Sequence, residues 1–99
     1  MLERDIERRL REQVKAIGGL CLKFVSPGFT GVPDRIILLS GGRVAFVELK
    51  APGKRERERQ DFVQRLLRSM GFTVFSAVDS YEKVAAVVAW CREVRECSI

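Results

Sequence analysis

Two apolar runs separated by Ser40-Gly41-Gly42 constrain this chain more than any other stretch. Asp34-Arg35-Ile36-Ile37-Leu38-Leu39 precedes the glycines and Arg43-Val44-Ala45-Phe46-Val47-Glu48-Leu49-Lys50 follows them. Apolar runs rich in β-branched residues and bounded by turn residues read as a β-hairpin. With a three-residue loop, Leu39 pairs with Arg43 and Asp34 falls opposite Glu48. Strand alternation then sets Ile36 with Phe46 and Leu38 with Val44 on one side, and turns Lys50 to the same side as Glu48. A two-residue loop would break this alignment. Both faces of both strands are largely apolar, which predicts a central place in a sheet covered on both sides. Only the end carrying Asp34, Glu48 and Lys50 is polar.

That end needs an explanation. Two carboxylates directly opposite on one sheet face repel each other. Glu48 also sits inside the apolar run Phe46-Val47-Glu48-Leu49, where burying an unpaired charge costs several kcal/mol. A hard divalent cation with oxygen ligands would reverse the sign of both effects. Taken singly, a Glu-x-Lys where a strand meets water is ordinary, and so is an Asp after Pro in a turn; their combination is what carries information. The chain contains no histidine, which removes imidazole general bases and His–zinc sites. Hydrolysis would therefore fall to carboxylates, lysine and a metal. No Walker-type glycine loop is present, so ATP hydrolysis is not expected.

Gly31-Val32-Pro33-Asp34, then thirteen residues, then Glu48-Leu49-Lys50 resembles the Pro-Asp…(Asp/Glu)-x-Lys signature of the restriction-endonuclease-like nucleases. Within that superfamily the chain most resembles the virus-type replication-repair nuclease (VRR-NUC) domain. The likeness runs from an N-terminal helix bearing Glu3 and Glu7 through Gly-Val-Pro-Asp-Arg and Glu-Leu-Lys to a helix carrying Gln60 and then Gly71-Phe72-Thr73-Val74. It implies an α/β fold with a mixed sheet, a central antiparallel hairpin and flanking helices in the order α-β-β-β-α-β-α. It implies a metal-dependent DNA endonuclease in which Asp34 and Glu48 hold Mg²⁺ or Mn²⁺ with the Leu49 carbonyl. Glu7 on the first helix would complete the shell, with Glu3 as the alternative. Lys50 would position the attacking water and stabilise charge on phosphorus, and Gln60 would lie near the catalytic centre. Branched DNA or four-way junctions, cut by a homodimer, are the substrate and assembly the resemblance suggests. Flap- or end-directed cleavage is an alternative, as is a non-catalytic DNA-binding module. A sequence-specific restriction enzyme is disfavoured, because 99 residues leave little room for base-reading loops.

Residues 1–99 make one domain, large enough for a thin core. The net charge of +5 and pI near 9.6 favour a polyanionic partner. Lys23, Arg35, Lys54 and Arg55 are the candidate cations for the DNA backbone. Lys23 reads equally as a sheet-edge lysine, and the run Lys54-Arg55-Glu56-Arg57-Glu58-Arg59 as a solvated helix start. Cys21, Cys91 and Cys97 form no disulfide or zinc pattern; the first two read as small core residues. With no signal peptide and no membrane-length apolar run, a cytoplasmic protein of phage or bacterial origin is expected.

The remaining elements follow from periodicity. Leu2, Ile6, Leu10, Val14 and Ile17 form one stripe of a helix over 2–17. Leu20 to Val25 is a short strand, and Ser26 to Gly31 is a loop bordering the cleft. There Phe29 reads as a loop anchor or a base-stacking wedge. A helix reaching about Met70 should bury Phe62, Val63, Leu66, Leu67 and Met70. Phe72 to Val78 is a strand. Asp79 or Ser80 caps a last helix with Val84, Val87, Val88, Cys91 and Val94 inward.

Overall fold

The computed structural model describes residues 2–54 and 57–96; the expectations for Arg55 and Cys97 lie outside them. The elements are α1 (Glu3–Ala16), β1 (Leu20–Lys23), β2 (Arg35–Leu39), β3 (Arg43–Leu49), α2 (Glu58–Ser69), β4 (Thr73–Val78) and α3 (Tyr81–Glu96). The strands form one sheet in the order β1-β2-β3-β4. β1, β2 and β3 run antiparallel in turn, and β3 pairs with β4 in parallel. This is the expected mixed sheet.

The hairpin has the three-residue loop. Leu39 pairs with Arg43, Ile37 with Ala45 and Arg35 with Val47. Gly41 and Gly42 carry φ of +81° and +75°, a left-handed pair that glycine adopts without Cβ strain.

Odd-numbered residues of the hairpin face the core. Ile37, Leu39, Ala45, Val47 and Leu49 pack with Ile6, Leu10 and Val14 of α1 and Val84, Val87, Val88 and Cys91 of α3. Burial pushes the Cys21 and Cys91 thiols up to about 11, consistent with their role as core residues. Leu2, expected to begin the α1 stripe, is exposed. It precedes the helix with extended backbone, so its side chain leaves the helical face.

The opposite face departs from the expectation of a sheet covered on both sides. Phe46 is buried there between Phe24 and Phe72, at centroid distances of 5.6 and 5.5 Å. Ile36, Leu38 and Val44 are only half-buried, and Leu20 and Leu22 are exposed. The reason is that α2 stands over β4 rather than over the middle of the sheet: Arg68 donates to the Val74 carbonyl, and Ser76 bonds Gln64. Packing on one strand buries only a narrow stripe of α2. Val63 and Gln64 are inside, Leu66 and Leu67 are half-buried, and Phe62 and Met70, expected inside, are exposed.

Two ends and one strand register are refined. β1 stops at Lys23, short of the expected Val25, which is exposed. Of the two candidate caps for α3, the Ser80 hydroxyl accepts the Lys83 amide at 3.2 Å, while Asp79 pairs with the Lys83 amine. In β4 an extra residue enters the parallel ladder: Val47 pairs with Phe75 but Leu49 with Val78. Ser76 and Ala77 thus both fall against Glu48, and Ala77 takes up the bulge with φ of +48°. Among the described residues, no helix is long and apolar enough to cross a membrane.

Candidate active site

Pro33 ends the loop and delivers Asp34 to the start of β2, where Phe24 donates its amide to the Asp34 carbonyl at 2.7 Å. The Asp34 carboxylate accepts the Leu49 amide at 2.7 Å. That bond spans the open end of the hairpin and ties the aspartate to β3 just past Glu48.

Glu48 is 1% exposed. Its Oε2 accepts the Gln60 side-chain amide at 2.9 Å and lies 3.3 Å from the Lys50 amine. Lys50 in turn donates to Gln60 Oε1 at 2.8 Å, and the Arg57 amide donates to the same oxygen at 3.0 Å. Gln60 thus bridges the acid and the base of Glu48-Leu49-Lys50 from the first turn of α2. Glu48 Oε1 is buried with no partner. Burial and the neighbouring Asp34 charge push the Glu48 carboxyl up to about 7, against the opposing pull of Lys50. The two carboxylates are therefore close enough to repel, as the hairpin register requires.

Glu3, Glu7, Lys23, Phe24, Asp34, Arg35 and Leu49 line a cleft of about 300 Å³ at this end of the sheet. Glu7 reaches the cleft, but Arg35 and Arg11 each hold its carboxylate at 3.4 Å. The structure does not gather Glu7 with Asp34 and Glu48. Among the described residues, no three acidic or cysteine side chains are grouped as a metal site. Arg35, expected to meet DNA, faces inward to Glu7, and its Nε is buried without a partner. Lys23 and Lys54 are exposed.

The residues present fit a hard cation in one respect: an anionic oxygen is buried, unpaired and next to a second carboxylate, which is costly unless a cation completes it. Two residues near the site escaped the sequence reading. Gln64, buried beside Ser76, lies one helical turn beyond Gln60. The i, i+4 spacing of the two glutamines, which puts them on one face of α2, was the available signal. Ala77, the bulge residue across from Glu48, carried no signal.

No family model matches the chain. A curated relative from Acyrthosiphon pisum secondary endosymbiont phage 1, named "Putative nuclease p44", is 53% identical over 53 residues. The match spans 54% of this chain and 57% of that protein, so the chain covers little more than half the relative's length. A solved structure titled "VRR_NUC domain" superposes with a TM-score of 0.80 and 27% identity, covering 88% of this chain and 94% of that one. The chain therefore has the VRR-NUC fold, a restriction-endonuclease-like arrangement, and the resemblance carried by Pro33-Asp34 and Glu48-Leu49-Lys50 extends over most of its structure.

Proposed function

We propose that this chain is a nuclease that hydrolyses phosphodiester bonds in DNA with Mg²⁺ or Mn²⁺. The observation that carries the reading is the buried, unpartnered Oε1 of Glu48, set beside Asp34 and backed by Lys50 and Gln60. The fold shared with a VRR_NUC domain and the phage relative named as a nuclease support it. Asp34, Glu48 and the Leu49 carbonyl would hold the metal, and Glu7 would join them on leaving Arg35 and Arg11. When bound, such an ion acidifies a water and polarises the scissile phosphate. The chain's own residues do the rest. Asp34 is oriented by the Leu49 amide. Gln60 holds Lys50 beside Glu48, so the ammonium is placed to orient water and to meet charge growing on phosphorus.

Branched DNA, four-way junctions included, is the proposed substrate, and a second copy of the chain is the proposed partner. The half-open apolar face of Leu20, Leu22, Ile36 and Leu38 supports dimerisation, since such a patch is costly to leave in water. The phage relative supports a phage or bacterial origin, and the cytoplasm is the proposed place of action.

The test is cleavage of four-way junctions, flaps and linear duplexes with Mg²⁺, with Mn²⁺ and with chelator. Metal-dependent cutting, fastest on branched DNA, is expected. Tight binding with no cutting in either metal would instead favour a non-catalytic DNA-binding module. Light scattering after gel filtration reports the dimer.

A further inference from the structure

Phe29 and Phe62 are 41% and 46% exposed, although each is a large apolar ring. They come from different elements, the loop before Asp34 and the second turn of α2. Arg59 joins them: its guanidinium lies 4.7 Å from the Phe29 centroid and 5.3 Å from the Phe62 centroid. An exposed arginine is ordinarily free to sample many rotamers. This one is pinned. Its Nε donates to the Thr30 carbonyl at 3.0 Å. Gly31, at φ of +87°, packs so closely that a Cβ would stand 2.7 Å from Arg59 Cγ. A ring that served only to anchor the loop would be covered, as Phe46 is between Phe24 and Phe72. Here two rings and a planar cation are held in place and left open to solvent.

Arg59 is also the residue before Gln60, which touches both Glu48 and Lys50. On a helix, Arg59 lies between Phe62 on one side and Gln60 on the other. Phe62 itself stands about 160° round the helix from Gln60, so Arg59 and the Phe29 loop, which runs into Asp34, are what connect the aromatic surface to the candidate active site. Lys54 and Arg57 are exposed ahead of α2, and Glu58 and Asp61 are exposed in its first turn, where Asp61 is paired with Arg65; Lys54, Arg57 and Arg59 are the cations available there to a phosphate backbone.

We propose that Phe29, Arg59 and Phe62 form a stacking platform for an unpaired nucleobase of the DNA strand that approaches the active site. Aromatic rings and guanidinium planes both stack on bases and tolerate any sequence. A base inside a duplex has both faces already occupied by its neighbours. The platform therefore discriminates for single-stranded or locally opened DNA, such as the strands at a branch. The proposal takes its placement from the nuclease reading and adds to it the strand state that is recognised.

The test measures binding of the whole chain, in chelator to prevent cutting, to a fluorescent single-stranded oligonucleotide and to the same sequence as a paired duplex. F29A and F62A are each expected to weaken single-strand binding by roughly 5- to 100-fold, the effect of losing one base stack. Duplex binding should change less than about 2-fold, because phosphate contacts are retained. F62W should preserve the single-strand affinity. Phe62 lies on the outer surface of α2, so F62A keeps the test decisive even where F29A disturbs the loop. Equal losses on both DNAs, or none on either, would overturn the platform. Its failure is distinguishable from failure of the nuclease reading. If D34N abolishes cutting while F29A and F62A leave the strand preference intact, the platform falls and the nuclease stands. If no DNA is cut yet the preference exists and F62A removes it, the platform stands alone.

Discussion

The Asp34 carboxylate accepts the backbone amide of Leu49 at 2.7 Å, so one bond closes the mouth of the hairpin and aims an acid at the site. This gives Asp34 two separable roles, and substitutions divide them. D34N keeps an oxygen for the Leu49 amide but removes the charge that would hold a cation. It is expected to fold with nearly unchanged stability and to lose DNA cleavage by at least about 100-fold, the scale of a missing electrostatic contact in a transition state. D34A should lose cleavage equally and stability as well, by about 1–3 kcal/mol, because the half-buried amide is left unpaired. Cleavage rates and urea unfolding of the two variants provide the check. Full activity in D34N would remove Asp34 from the site.

Glu48 makes stability depend on pH in a stated direction. Its carboxyl titrates near 7 when folded, against 4.5 for the ordinary group. Below pH 4.5 both folded and unfolded forms are protonated, and the group contributes nothing. Between 4.5 and 7 the unfolded chain releases the proton more readily, so stability falls as pH rises. Above 7 the full penalty stands. E48Q should flatten this part of the profile. Mg²⁺ or Mn²⁺ should raise the melting temperature of the wild-type chain at pH 8 far more than at pH 5, and should not do so in E48Q. Thermal melts over pH 4.5–8, with and without the metal, measure both effects. A wild-type profile parallel to that of E48Q would show that Glu48 is not strained.

Gln60 holds Glu48 and Lys50 together without being able to donate or accept a proton in the reaction. Q60A should therefore lower the rate of the bound complex by about 10- to 100-fold, the usual effect of removing a group that orients functional side chains. Substrate affinity should change little. Single-turnover kinetics at saturating DNA separate the two quantities. A loss confined to affinity would make Gln60 a DNA contact instead.

Gly31 tests how the loop before Asp34 is docked. G31A meets two penalties: a left-handed φ of +87°, and a Cβ 2.7 Å from Arg59 Cγ and 3.0 Å from the Arg59 carbonyl. G41A has a comparable φ of +81° but open space around it. Backbone strain alone should make G41A lose about 1 kcal/mol. G31A should lose clearly more, about 2–4 kcal/mol, since α2 or the loop must shift. Chemical denaturation gives the comparison. Equal losses would mean that the loop yields freely at Arg59.

Much of this protein is decided by local rules that operate within a strand or a helix. Leu39 pairs with Arg43 because Gly41 and Gly42 can turn left-handed, and from that pairing alternation alone brings Asp34 and Glu48 to one end of the hairpin. The inward face of α3 follows from its apolar spacing in the same way. Periodicity states which side chains share a face, but not what lies over that face. Only the tertiary structure set α2 over β4, leaving Phe62 and Met70 in water and the sheet face half-open. Only it turned Arg35 to Glu7, pairing that glutamate with a cation in the cleft it shares with Asp34. The reach of Gln60 to Glu48 and Lys50 likewise crosses between elements, through the angle of α2 to the strand end. The sequence by itself determined the hairpin, its register and its acidic mouth, because those contacts depend on neighbours along or directly across a strand. The pairing of Glu7 with Arg35, of Gln60 with Glu48 and Lys50, and of Arg59 with Thr30 and Phe29 was decided by packing between elements, where small rotations of a helix exchange one charged neighbour for another.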